Sequence, residues 1–93
     1  MQIDGKITEV NSPEPIPDKF KAFGFNVFEI DGHNFDEIQQ AIAKAKQSID
    51  KPNAIIAHTV KGKGISFMEE QVAWHGKAPS DEEYKNSISE LNI

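Results

Sequence analysis

The chain has 93 residues, of which 38% are hydrophobic, 27% charged and 9% aromatic, a composition that fits one small globular domain, residues 1–93. Ten basic residues, all Lys, stand against fifteen acidic ones for a net charge of −5, which argues against charge-driven nucleic-acid binding, and the absence of Cys excludes disulfides and thiolate metal sites. No apolar run approaches the roughly 20 residues that cross a bilayer, and Met1 precedes polar, acidic sequence unlike a signal peptide, so the expectation is a cytoplasmic protein without a membrane partner.

Residues 1–17 read as irregular. Asp4-Gly5 is a turn signal, Lys6 to Val10 alternates polar and apolar like a short strand, and Pro13, Pro15 and Pro17 stop any regular element. Pro17 and Asp18 open a short helix near residues 18–23, with Phe20 and Phe23 three apart and Gly24 as its stop. A strand is predicted over residues 25–30, apolar on both faces, followed by the turn Asp31-Gly32-His33. Asn34, with Glu37 three residues later, has capping-box spacing and starts a helix over residues 34–49. Phe35, Ile38, Ile42, Ala45 and Ile49 form its apolar stripe, and Lys44 and Lys46 suit the negative end of its dipole.

Asp50-Lys51-Pro52 ends that helix, and residues 53–60 read as a second strand. Strand, helix and strand make a βαβ unit, so the fold class is α/β with a partial parallel sheet, its strands covered on both sides by other elements. Residues 61–79 are mainly loop, and Ser80 with Glu83 forms a second capping box that opens a helix over residues 80–92, apolar at Tyr84, Ile88 and Leu91.

Ligands of open α/β sheets bind beyond the carboxyl ends of the strands, a rule that draws attention to Asp31-Gly32-His33 and Lys61-Gly62-Lys63-Gly64. The second segment combines glycines with local positive charge, which suits a phosphate or diphosphate. It is neither a Walker A loop nor Gly-x-Gly-x-x-Gly, and a plain strand-exit turn accounts for it better. Of the three histidines, His58 within the second strand reads as structural and His33 as a turn residue. His75, in a loop between Trp74 and Gly76, suits anion contact or proton transfer as well as it suits an idle surface position. No two histidines have metal-ligand spacing, and the hydroxyls show no triad logic.

An ordered series of segments carries a resemblance: Gln2-Ile3-Asp4-Gly5, Ser12-Pro13-Glu14-Pro15, Lys19-Phe20-Lys21-Ala22-Phe23-Gly24, Ile30-Asp31-Gly32-His33, Lys51-Pro52, Lys61-Gly62-Lys63-Gly64-Ile65-Ser66-Phe67-Met68-Glu69, Trp74-His75-Gly76-Lys77-Ala78-Pro79 and Glu82-Glu83-Tyr84. Together they resemble the N-terminal subunit of bacterial split transketolases, in the later part of its diphosphate-binding domain, over residues 1–91. The resemblance implies thiamine diphosphate, a divalent cation (Mg), and transfer of a two-carbon ketol unit between sugar phosphates, as in the pentose phosphate pathway. By the same resemblance, His75 contacts the cofactor diphosphate and handles the bound sugar, Lys61 reaches the cofactor, and Ile3 packs on it. Met1 falls where the family uses a main-chain carbonyl as a metal ligand, although Leu or Ile is usual there.

The family's Gly-Asp-Gly segment and the following Asn, which complete the metal site, would lie before Met1. The first strands of the sheet and the pyrimidine-binding domain with its activating glutamate are likewise outside these residues. The chain therefore reads as part of a transketolase-like enzyme and as catalytically silent alone. Two other readings are a stand-alone phosphate-binding module using Lys61, Lys63 and His75, and an interaction module whose strand edges pair with a complementing transketolase chain or a second copy.

Overall fold

The computed structural model describes residues 1–92. They form two compact units, one of Pro13–Thr59 and the other of Met1–Ser12 together with the segment from Val60 onward.

The first unit is the βαβ element with a helix before it. Helix α2 (Ile16–Ala22) has Pro17 in its first turn, where a missing N–H costs no hydrogen bond. It ends in a Schellman motif on Gly24, whose φ is +89°. The Gly24 N–H donates to the Lys21 carbonyl at 2.9 Å and the Phe25 N–H to that of Phe20 at 3.1 Å. The rings of Phe20 and Phe25 meet edge to face at 5.1 Å and make the hydrophobic contact that accompanies this cap.

Strands β1 (Asn26–Asp31) and β2 (Asn53–His58) pair in parallel, from Asn26 opposite Asn53 to Asp31 opposite His58. Helix α3 (Phe35–Gln47) joins them, and both α2 and α3 pack against both strands. The Asn34 side chain accepts the Glu37 N–H at 3.1 Å. The reciprocal half of the expected capping box is absent, because Glu37 instead accepts the Asp31 N–H at 3.1 Å and ties the helix start to the end of β1. Gly32 is needed for close approach: a Cβ there would lie 2.5 Å from Thr59 Cγ2.

Three expectations for this unit are corrected. Helix α3 stops at Gln47, because the Asn53 side-chain amide donates to the Ala45 and Ser48 carbonyls, both at 3.0 Å, and so satisfies the helix end from the next strand. Ile49 therefore lies outside the helix and is 93% exposed. The buried line also runs through Ala41 and not through the larger residues of the stripe: Ala41 is 3% exposed while Phe35 is 85% exposed. A small side chain at the contact lets the helix axis approach the sheet, leaving bulkier neighbours at the flank. Nor are the strands covered on both sides among the described residues, since Ile55 and Ala57 are exposed.

The second unit begins with a narrow turn in which Gln2 and Gly5 exchange backbone hydrogen bonds at 2.7 and 3.3 Å, as Asp4-Gly5 suggests. The stretch read as a strand over Lys6 to Val10 is instead one helical turn, α1 (Ile7–Val10). Its Glu9 and Val10 N–H groups both donate to the Lys6 carbonyl at 3.0 Å. A strand there would need a neighbour to satisfy its backbone, whereas a helical turn satisfies part of it locally. The loop after β2 contains a 3₁₀ turn (Val72–Trp74), and α4 (Asp81–Leu91) closes the described chain. Among the described residues no helix is long and apolar enough to cross a membrane.

Candidate functional site

The loop from Lys61 to Pro79 is held shut by its own backbone. The Glu70 N–H donates to the Lys61 carbonyl at 2.9 Å, and the Lys63 N–H donates to that of Val60 at 3.2 Å. Gly62 has φ of +77°, and a Cβ there would come 2.6 Å from the Met68 carbonyl oxygen. Only glycine meets both conditions, so the first glycine of Lys61-Gly62-Lys63-Gly64 serves the turn.

Two backbone amides of this loop are already engaged by carboxylates of the chain itself. Gly64 N–H donates to Glu69 Oε1 at 3.0 Å, Ser66 N–H donates to Glu90 Oε2 at 2.8 Å, and the Ser66 hydroxyl donates to the other oxygen of Glu90. The chain's own carboxylates occupy this part of the loop.

The cationic character of the site lies nearby. Lys61, Gly62, Met68, Trp74, Lys77 and Pro79 line a cavity of about 260 Å³. Trp74 is anchored by its indole N–H, which donates to the Phe67 carbonyl at 3.2 Å, and by the Phe67 ring at 5.7 Å. Lys77 Nζ sits 4.4 Å from the Trp74 ring centre and 3.5 Å from Glu83 Oε2. Glu83 is itself fixed, because α4 carries a complete capping box: the Glu83 N–H donates to Ser80 Oγ at 3.2 Å and the Ser80 N–H to Glu83 Oε1 at 2.9 Å.

The Ser80 backbone N–H and then the Ser80 hydroxyl hold the Glu83 carboxyl below the ordinary glutamate range; partial desolvation opposes this, and Lys77 reinforces it. A carboxylate whose folded pKa is depressed contributes stability that is present above its unfolded pKa and lost as pH falls through the folded value. Acidification through and below the usual glutamate range should therefore loosen the start of α4. The Ser80 and Glu83 amide signals should move together on titration, whereas in Glu83→Gln they should stay flat; movement that survives this substitution would place the titrating group elsewhere.

The remaining candidate residues are dispersed. His75 follows the 3₁₀ turn, is exposed, donates its backbone N–H to the Val72 carbonyl at 3.0 Å, and does not line the cavity of Lys61 and Lys77. Lys63 does not line it either. Ile3 is 60% exposed in the amino-terminal turn, and Met1 is half-buried. In the other unit, His33 donates its backbone N–H to Asp31 Oδ1 at 2.9 Å, in a turn. His58 Nε2 lies 3.1 Å from Glu29 Oε1 across the two strands. His33 thus lies in a turn, whereas His58, the last residue of β2, is exposed and not buried in a core. The described residues contain no group of three or more His, Cys, Asp or Glu that could hold a metal ion.

Sequence reasoning missed Lys77 as a member of the site. Its signal was a lysine three residues after the lone Trp and six before a capping glutamate, a spacing that acquires meaning only once the loop is folded.

Comparison with known proteins places these features in a family. The family model described as transketolase, thiamine diphosphate binding domain, matches residues 1–92. The chain is 47% identical over 91 residues to the 6-deoxy-6-sulfo-D-fructose transketolase subunit SqwG of Clostridium sp. (strain MSTE9), covering 98% of this chain and 33% of that protein. It is 36% identical over 92 residues to an apulose-4-phosphate transketolase subunit of Phocaeicola vulgatus, covering 99% and 33%. Against the human transketolase-like protein 2 it is 42% identical over 71 residues, covering 76% and 11%. The chain thus spans about a third of the length of the two bacterial relatives.

Proposed function

The chain belongs to the transketolase family, in its thiamine diphosphate binding domain, and on that premise we propose that it supplies part of the cofactor and substrate site of a two-carbon ketol transferase acting on sugar phosphates. The observation that supports this reading is the cavity at the Lys61-Gly62 turn, lined by two lysines in a chain of net charge −5.

These residues fit the charge of the diphosphate. Lys61 would hold it, Ile3 would pack on the cofactor, and His75, an exposed imidazole, would contact the diphosphate and hold or pass a proton for the sugar. When bound, thiamine diphosphate supplies the electron sink for breaking the carbon–carbon bond beside a carbonyl. The fit to the metal is poorer: Met1 would offer only a main-chain carbonyl to Mg, and Gly-Asp-Gly does not occur in the 93 residues. The other metal ligands and the cofactor-activating glutamate are therefore assigned to sequence outside these residues. In this reading residues 1–93 are a fragment of one domain, catalytically inactive alone, in a cytoplasmic enzyme.

A complementing transketolase chain is the partner this reading calls for. The exposed apolar side chains of Phe23, Phe35 and Ile49, at 82%, 85% and 93%, support it.

The reading is tested by amide NMR of the 93-residue chain titrated with thiamine diphosphate and Mg. Weak, saturable shifts at Lys61 to Gly64 and around His75 are expected, without transketolase turnover. Shifts absent from both segments, or turnover by the chain alone, would overturn it. Linewidths that grow with protein concentration in the same samples would identify a second copy as the partner in place of a complementing chain.

A further inference from the structure

We infer that helix α3 (Phe35–Gln47) carries a self-pairing face, and that its partner is a second copy of this chain docked antiparallel, helix against helix, about a twofold axis. The inference goes beyond the family reading and does not rest on it, since the face belongs to the unit of Pro13–Thr59 and the Lys61 cavity does not. Of the exposed apolar residues it uses Phe35 and Ile42, leaving Phe23 and Ile49 to a complementing chain.

The helix has two apolar faces. One runs through Ala41, 3% exposed, with Ile38 and Ala45 half-buried beside it, and packs on the strands. The other is the stripe Phe35, Gln39, Ile42 and Lys46, whose intervals of four, three and four place them in one row along the helix. All four are exposed, Phe35 at 85% and Ile42 at 44%. The spacing reads the same from either end. Two copies laid antiparallel therefore set Phe35 against Lys46 at both ends and Gln39 against Ile42 in the middle.

Charge selects that direction. The first turn of α3 is acidic at Asp36 and Glu37, and the last turn is basic at Lys44 and Lys46. Among the described residues no ion pair engages Asp36 or Lys46. In the antiparallel pair, Lys46 of one copy reaches Asp36 and the Phe35 ring of the other, so that opposite charges meet and a cation lies over an aromatic face. The twofold axis repeats each contact. A parallel pair would set Asp36 on Asp36 and Lys46 on Lys46. The face is about 20 Å long, from the rise of a 13-residue helix. Association over so small a surface should be weak, with a Kd on the order of 0.1–1 mM.

Sedimentation equilibrium of the 93-residue chain at concentrations up to about 1 mM should show monomer and dimer in exchange. Asp36→Lys and Lys46→Asp should each weaken pairing about tenfold, because each substitution counts twice in a symmetric pair and turns attraction into repulsion. An equimolar mixture of the two variants should pair again near wild-type strength, since each supplies the charge the other lost. If Asp36→Lys frays the start of α3 in circular dichroism, Lys46→Asp and Ile42→Gln decide. Ile42→Gln removes apolar contact at the centre and should also weaken pairing about tenfold.

The chain has no Cys, so Gln47→Cys accepts a single spin label. Mixed with isotope-labelled wild-type chain, the spin label should broaden the amides of Phe35 to Glu37. Broadening of Lys44 to Gln47 instead would overturn the antiparallel arrangement. A monomer at every concentration, or pairing untouched by Asp36→Lys, Lys46→Asp and Ile42→Gln, would overturn the proposal. Titration samples at about 0.05 mM lie below the expected Kd, so concentration-dependent linewidths there mark a tighter association through another surface, and the test of the complementing chain stays separate.

Discussion

Gly62→Ala is expected to lower stability by about 2–4 kcal/mol, because two independent penalties coincide at one methyl group. The backbone at Gly62 is left-handed at φ +77°, and the new Cβ would lie 2.6 Å from the Met68 carbonyl oxygen and 2.8 Å from its carbon. That carbonyl cannot simply turn aside, since it accepts the Gln71 N–H at 3.2 Å. Gly24→Ala separates the two causes: its φ is +89°, but nothing lies within 4 Å of the added methyl. It should cost about 1 kcal/mol, the conformational part alone. Urea unfolding followed by circular dichroism measures both, and equal losses would show that the approach of Met68 to Gly62 adds nothing.

The second large effect is expected at Trp74. Trp74→Ala removes the indole bond to Phe67, the tilted ring contact at 5.7 Å and the surface beneath Lys77. For a half-buried Trp this should cost about 2–3 kcal/mol. Trp74→Phe keeps a ring but not the N–H donor, and should cost about 1 kcal/mol. Thermal unfolding resolves these values, since 1 kcal/mol moves the midpoint of a domain this size by about 4–8 °C. Amide exchange at Met68 and Glu70 locates the damage. An unchanged melting temperature in Trp74→Ala would show that the ring organises nothing.

The clearest elements in the sequence were those whose signals are local. Ser80 and Glu83 stand three residues apart and form both halves of their capping box. Gly24 ends α2 because a left-handed position follows the last helical residue, a requirement written within five residues of chain. The βαβ unit emerged from the change of period between strand and helix, and the parallel register from Asn26–Asn53 to Asp31–His58 realises it.

What the sequence obscured depends on partners distant in the chain. Asn53 ends α3 from the following strand, Glu37 caps the end of β1 instead of completing its own box, and Glu90 reaches back 24 residues to Ser66. Lys6 to Val10 alternates like a strand but also places Ile7 and Val10 three apart, so periodicity over five residues could not choose between the two periods. The family was legible in the ordered motifs, whereas the membership of Lys77 in the Lys61 cavity was not.

The sequence by itself determined the α/β class, the helix starts at Asn34 and Ser80, the turn glycines and the transketolase kinship, because each is encoded by residues close together or by motifs in a fixed order. The tertiary structure alone decided that Ala41 and not the bulkier stripe lies at the buried contact of α3, that carboxylates fill the loop amides, and that Lys61 and Lys77 line one cavity with Trp74 between loop and ammonium. These outcomes depend on which side chains long-range packing brings within a few ångströms, and spacing along the chain does not specify that distance.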